Sequence, residues 1–237
     1  MTIDTSLNSS DVSRVSLVLV AKEPIPGHVK TRLASKLSAP TAAYVHESLL
    51  QHMRRTCEQL AAQSKDIDLV LLFDPPDSPV AWNDWNIWRR MPQADGDLGR
   101  RLECARNALA NRCCDGYVFI GADAPELTGD HLAWAMDEVR QSRYAMIPAY
   151  DGGYVLIGIP SPNDSLFGGI SWSTSLVADQ TRQAAAKCGL VISELPALHD
   201  IDTHQDIIAL LDRLVTDNTA SAIALHRQLT GIIATSR

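Results

Sequence analysis

The stretch VSLVLVAKEPIPGHVKTRL, Val15 to Leu33, decides the fold. Val15–Ala21 is a continuous apolar run rich in β-branched residues. A strand half exposed to water alternates apolar and polar residues. A run without alternation predicts a strand covered on both faces, as in a parallel sheet. The next residues, Ala21 to Leu37, carry Lys22, Lys30, Arg32 and Lys36 plus His28, with two prolines and a single glycine. In open α/β sheets the ligand lies beyond the carboxyl ends of the strands, so this loop falls at the binding edge. It feeds a helical region, whose N-terminus would favour an anion, and Lys30 and Arg32 add charge. The standard phosphate patterns fail. GxxxxGK[ST] is missed because Gly27 is too close to Lys30, and GxGxxG is absent. A solvated basic loop is an equally good reading of this stretch alone.

The 237 residues suit one large domain, and 46% hydrophobic residues suffice for a core. Flexibility is expected at residues 1–14, which are polar and rich in Ser and Thr and resemble neither a signal peptide nor an anchor; residues 15–237 form the domain. A net charge of −7 disfavours nucleic acid, and the one dense basic cluster, in the first loop, suits a small anionic ligand. No run approaches the roughly 18 apolar residues of a membrane span. The five cysteines, an odd number without metal spacing, read as reduced thiols of a cytoplasmic protein. Adjacent Cys113 and Cys114 are read as small residues ending a helix rather than a redox pair.

Elements alternate along the chain. Strands are expected at Val15–Ala21, Ile67–Phe73, Tyr117–Gly121, Tyr144–Tyr150, Tyr154–Ile159 and Leu190–Leu195. Helices are expected at Pro40–Gln63, Asp97–Arg112, Gly129–Ser142, Thr174–Cys188 and Thr203–Val215, with a further helix in the tail. This order gives an α/β fold with a mostly parallel central sheet flanked by helices.

Four further stretches carry possible chemistry. In GADAPEL, Gly121–Leu127, Asp123 sits just past a buried strand. A carboxylate there suits Mg²⁺ or Mn²⁺ shared with a phosphate. Its plainer role would be a helix cap, but Thr128 is better placed for that. In HDIDTHQD, His199–Asp206, Asp200 and Asp202 share one side of an extended segment. A capping box from Thr203 to Asp206 competes as the explanation. In AYDGGYVLIG, Ala149–Gly158, the two glycines read as a hairpin turn or as a close approach to a ligand with Asp151 beside it. In QADGDLGRRL, Gln93–Leu102, a simple helix entry is the default. GISWS, Gly169–Ser173, misses the GxSxG nucleophile elbow. Trp82, Trp85 and Trp88, three apart, read as one helical face.

Taken together and in order, AKEPIPGHVKTRL, DPPD, QADGDLGRR, GADAPEL, DGGYVLIG, WSTS and DIDTHQD resemble one bacterial family from about Val15 to Leu214. It is the glycosyltransferase-A-like family of radical-SAM/selenodomain-associated, or arsenosugar-biosynthesis, transferases. Departures are small: Ala122 and Ala124 flank the motif aspartate, and His204-Gln205 replaces a common Pro-Glu. The resemblance implies a single-domain nucleotide-diphospho-sugar transferase fold. It implies that the loop with Ala21, Lys22, Pro26, Gly27, Lys30 and Arg32 holds phosphates, and that Gln93, Gly96, Leu98, Gly99 and Arg101 meet the nucleobase and ribose. Asp123 takes the place of the metal-binding aspartate, and Asp202 matches a second metal ligand of cytidylyltransferase-like relatives. The same resemblance implies that Asp151, Gly152 and Gly153 face the acceptor or transferred group.

The expected activity is metal-dependent glycosyl transfer from a nucleotide-sugar to a small-molecule acceptor. Lys30 and Arg32 then neutralise the leaving diphosphate, and Asp151 serves as base or acceptor ligand. The first alternative is nucleotidyl transfer from an NTP to a sugar phosphate or phospho-acid. Glycine-rich loops wrap a triphosphate with backbone N–H groups, and Pro24 and Pro26 remove two such donors here. The second alternative is a non-catalytic nucleotide-binding protein.

Overall fold

A computed structural model describes residues 14–78, 82–110, 114–161 and 166–234 of the chain. The expectations for residues 1–13 and for Cys113 therefore lie outside the described residues.

The first strand, β1 (Val15–Lys22), lies inside the sheet, between β2 (Ile67–Asp74) and β4 (Gly116–Gly121), and runs parallel to both. Its residues alternate between two layers. Leu17, Leu19 and Ala21 pack with α2 (Ala39–Gln63) and α4 (Gly129–Arg140), while Val18 packs with α3 (Leu98–Leu109) and α5 (Val177–Lys187). Both faces are covered, which is why the run shows no polar alternation. A third cluster joins α1 (Thr31–Ala34) and α2 to α6 (His204–Leu214) and α7 (Ala220–Ala234). Truncating a fully buried strand residue such as Leu19 to alanine costs about 2–5 kcal/mol.

The sheet has seven strands in the order β3-β2-β1-β4-β6-β5-β7, with β3 at Arg89–Pro92, β5 at Tyr144–Pro148, β6 at Tyr154–Pro160 and β7 at Ile192–Glu194. Only β6 runs against its neighbours, so the sheet is mostly parallel as expected. Registers align Lys22 with Asp74 and Val20 with Gly121. The loops that follow β1, β2 and β4 therefore leave from one edge.

Two local expectations are corrected. Trp82, Trp85 and Trp88 do not form a helical face. Each step is a turn, with the Trp85 N–H donating to the Trp82 carbonyl and the Trp88 N–H to that of Trp85, both at 3.1 Å. The buried indoles meet edge to face at 5.7 and 5.0 Å, and the Arg54 guanidinium lies 4.5 Å from the Trp85 ring centre. The trio is core filling beside β2. The helix expected from Thr174 starts at Val177, because Trp172–Ser175 stay in turns.

Candidate functional site

A cleft of about 800 Å³ opens at the edge where β1, β2 and β4 end. Its floor is a charge cluster. Lys30 has a left-handed backbone, φ 46°, at the start of α1. That conformation costs a residue with a Cβ roughly 1–2 kcal/mol. It turns the chain so that the side chain, only 5% exposed, reaches inward. The Lys30 ammonium donates to Asp123 Oδ2 and to Asp202 Oδ1, both at 2.9 Å. The two carboxylates remain about 40% exposed, at 40% and 39%. Burial alone would lower the pKa of Lys30, but the two aspartates outweigh it and raise the value. Burial alone would raise that of Asp123, but the Lys30 charge and hydrogen bond hold it below the usual carboxylate range.

Sequence alone could not bring Asp123 and Asp202 together; one backbone bond does. The Ile201 N–H donates to the Asp123 carbonyl at 3.0 Å, docking the segment before α6 onto the loop after β4. Both helix starts are capped by other residues. Thr128 accepts from the His131 N–H at α4, and at α6 Asp206 accepts from the N–H groups of Asp202 and Thr203. Neither Asp123 nor Asp202 is needed as a cap, so their carboxylates face the cleft. Arg32, 78% exposed, stands 3.9 Å from Asp202.

The opposite wall is built on Gln93. Its amide donates to the Ala21 and Leu72 carbonyls at 3.1 and 3.0 Å, and its oxygen accepts from Arg101 at 3.0 Å. Gln93 therefore positions Arg101, which also donates to the Gly96 carbonyl at 3.0 Å. Ala21, Lys22, Gly96 and Leu98 line the same cleft. Gly99 lies behind the wall: a Cβ there would stand 2.3 Å from the Trp172 indole nitrogen.

The other expected residues lie outside the cleft lining. Pro26 and Gly27 form the exposed tip of the first loop. Asp151, Gly152 and Gly153 form the hairpin turn between β5 and β6. Asp151 accepts from the Gly153 N–H at 2.8 Å. Gly152 has φ +92°, and a Cβ on it would stand 2.1 Å from the Ser175 carbonyl oxygen. Its close approach is thus to the protein's own backbone. The Asp151 charge is nevertheless felt at Asp200. Burial, then the Asp151 charge, then those of Asp123 and Asp202 push the Asp200 carboxyl up to about 6. Next to this pair, Tyr150 stacks on His199 with ring centres 4.2 Å apart.

His46 was not foreseen. It projects from the buried face of α2 into the cleft lining and is 7% exposed. Its Nε2 meets the Lys22 carbonyl at 3.0 Å and so must carry the proton, because a carbonyl can only accept. Nδ1 is then a buried acceptor without a partner. Burial lowers its pKa and keeps the ring neutral. The available signal was a lone histidine on an otherwise apolar helix face.

Among the described residues, no group of three or more His, Cys, Asp or Glu side chains forms a metal cage. The donor set that does exist is the pair Asp123 and Asp202. Two hard carboxylates fit a Mg²⁺ or Mn²⁺ that keeps several waters and takes its remaining ligands from a substrate phosphate.

Residues 56–174 match the model of a family described as uncharacterised protein conserved in bacteria, DUF2064. The chain belongs to this family. Beyond the family model, no curated protein matches the sequence. Among solved structures, a protein from Desulfovibrio desulfuricans G20, itself only provisionally assigned as a nucleotide-diphospho-sugar transferase, superposes with a TM-score of 0.82 at 25% identity. That match covers 95% of this chain and 99% of the other. A 4-diphosphocytidyl-2C-methyl-D-erythritol synthase from Anaerococcus prevotii gives 0.53 at 9% identity, covering 83% and 96%. A manganese complex of Rv0371c from Mycobacterium tuberculosis gives 0.50 at 18% identity, covering 85% and 99%. This DUF2064 member thus has the nucleotide-diphospho-sugar transferase fold. Among its described residues, no helix is long and apolar enough to cross a membrane.

Proposed function

We propose that this DUF2064 protein is a transferase that moves a glycosyl group from a nucleotide-sugar to a small-molecule acceptor, with Mg²⁺ or Mn²⁺ on Asp123 and Asp202. One observation carries the choice of glycosyl transfer. In the first loop Pro24 and Pro26 have no N–H. The N–H groups of Glu23, Ile25 and His28 donate to the carbonyls of Asp74, Glu23 and Ile25 at 2.7, 2.7 and 3.0 Å. A loop so engaged is a poor backbone cradle for a triphosphate. Phosphates entering the cleft meet side-chain cations instead: Lys22, Lys30 and Arg32. That arrangement suits a diphosphate, which leaves carrying the developing charge.

A metal ion on the two aspartates would supply Lewis-acid stabilisation of that charge. The chain's residues do the rest. Lys30 and Arg32 bind phosphate oxygens and stabilise the leaving group. The wall of Leu98 and Arg101, braced by Gln93 and Gly96, receives the nucleoside. Asp151, on the rim beside Asp200, is the base or acceptor ligand. The resemblance to radical-SAM/selenodomain-associated and arsenosugar-biosynthesis transferases belongs to the same proposal, as does a cytoplasmic location.

Nucleotidyl transfer is the second reading. Its support is the meeting of Asp123 and Asp202 on one cation, the arrangement expected when two carboxylates share a metal at an NTP. Product analysis separates the two. The protein is incubated with Mg²⁺ or Mn²⁺ and panels of nucleotide-sugars, or of NTPs with sugar phosphates, and the released phosphates are followed. Nucleoside diphosphate from a nucleotide-sugar is the expected product. Pyrophosphate from an NTP would overturn the glycosyl reading.

A further inference from the structure

The floor of the cleft contains a feature that a metal-and-phosphate site does not require: the position between the two carboxylates is already filled by a cation of the protein itself. We propose that Lys30 is a built-in counter-ion, which holds Asp123 and Asp202 until a diphosphate arrives to take its ammonium and thereby makes metal and nucleotide bind as a pair. The inference rests on the reading of this cleft as a metal–diphosphate site and adds how that site loads.

Three observations carry it. First, one ammonium reaches both carboxylates at 2.9 Å, so a divalent ion bound between them must displace it. Second, the Lys30 side chain is 5% exposed while the carboxylates are about 40% exposed, at 40% and 39%. Displaced without a new partner, the ammonium would remain a buried, uncompensated charge, which is strongly unfavourable. A phosphate in the cleft supplies the new partner. Third, the neighbouring cations Lys22 and Arg32 are exposed and need not move. The exchange is therefore confined to one side chain, on a backbone already held in the left-handed region.

The two carboxylates share one buried ammonium, the exposed Arg32 comes only to 3.9 Å of Asp202, and Asp151 and Asp200 add negative charge beside them, so a second cation is attracted. It competes with Lys30 when alone and cooperates with it when phosphate is present. Coupling between two ligands is reciprocal, so the diphosphate must tighten the metal by the factor by which the metal tightens the diphosphate.

The test uses the full chain and two probes. Binding of Mn²⁺ alone is read by water-proton relaxation on wild type, on Lys30→Met and on Lys36→Met. The last removes an exposed charge outside the cleft and controls for general electrostatics. The affinities of UDP, CDP, GDP and ADP are then measured by calorimetry with and without Mn²⁺, corrected for the complexes formed in solution. Lys30→Met is expected to bind Mn²⁺ alone about tenfold or more tighter than wild type, and Lys36→Met to stay within about twofold. In wild type, Mn²⁺ and the diphosphate that binds should enhance each other by about tenfold or more, and this enhancement should be several-fold smaller in Lys30→Met, where only the direct metal–phosphate contact remains. Equal binding of Mn²⁺ alone to wild type and Lys30→Met would overturn the counter-ion role while leaving the metal reading intact. Failure of Mn²⁺ to bind any form, with or without diphosphate, would overturn the metal reading and the proposal together. If Lys30→Met does not fold, the wild-type coupling decides: an enhancement below about twofold overturns the proposal.

Discussion

Two charge clusters that tie elements distant in sequence are built on opposite terms. At the far end of the sheet, Arg143 forks onto Glu138 at 2.6 and 2.7 Å, and the Ser193 hydroxyl donates to the same carboxylate at 2.5 Å. One anion meets one cation, the geometry is bidentate, and the result joins the end of α4 to β7. At the cleft, one buried ammonium serves two carboxylates, and Asp151 and Asp200 add negative charge beside them. The first cluster is complete in itself. The second sets two carboxylates, with two more aspartates nearby, around one buried ammonium and the more distant Arg32, and the contrast separates a self-contained tie from the proposed ligand site.

Substitutions should pull the two apart. The largest effect is expected from Asp123→Asn, which removes a proposed metal ligand. Affinity for a nucleoside diphosphate with Mn²⁺ should fall by about 100-fold or more, as calorimetry would read, because metal and phosphate share the same site. Unchanged affinity would remove Asp123 from the metal assignment.

The pH dependence of stability comes next, and its sign differs between the clusters. The Asp200 carboxyl stands at about 6 against an ordinary 3.8, so the folded protein binds the extra proton. Its contribution is present below 3.8 and is lost as pH rises through about 6. Glu138 is held at about 2 against 4.5, so its contribution is present above 4.5 and is lost as pH falls towards 2. Asp200→Asn should therefore gain stability over wild type as pH rises from about 4 to 7, by about 1–2 kcal/mol once solvent screening is allowed for. Melting curves of both proteins across this range check it; parallel curves would contradict it.

Thr203→Ala removes the oxygen that caps α6 and should cost about 1 kcal/mol in chemical denaturation. The smallest effect belongs to the complete cluster. Glu138→Gln should cost about 0.5–1 kcal/mol, as for a solvent-screened ion pair. It should leave nucleotide affinity unchanged; a binding defect there would blur the distinction between the clusters.

How much of this was legible depended on whether the deciding interactions were local. The unbroken apolar run of β1 announced a strand with both faces covered. Thr128 announced a cap that released Asp123. Strand β3 was not legible: it has four residues, two of them arginines, and is defined only by pairing with β2 at the sheet edge. The tryptophans have helical spacing, yet their fold is set by contacts with Phe73 and Arg54 from other elements. The key residues Lys30, Asp123 and Asp202 were singled out by their motifs, but their meeting depends on the bond from Ile201 to Asp123. Gly152 has a reason that no local pattern contains, the backbone of Ser175 packed against its α-carbon. His46 lay hidden for a similar reason, since one polar residue on a buried helix face carries no periodic signature.

The most direct test of the central claim is a crystal structure of the protein with a nucleoside diphosphate and Mn²⁺, the metal located by its anomalous scattering. One Mn²⁺ is expected on Asp123 and Asp202, with phosphate oxygens on the Lys30 ammonium and the Arg32 guanidinium. A diphosphate wrapped instead by the backbone of residues 23–28, or a metal away from both aspartates, would contradict it.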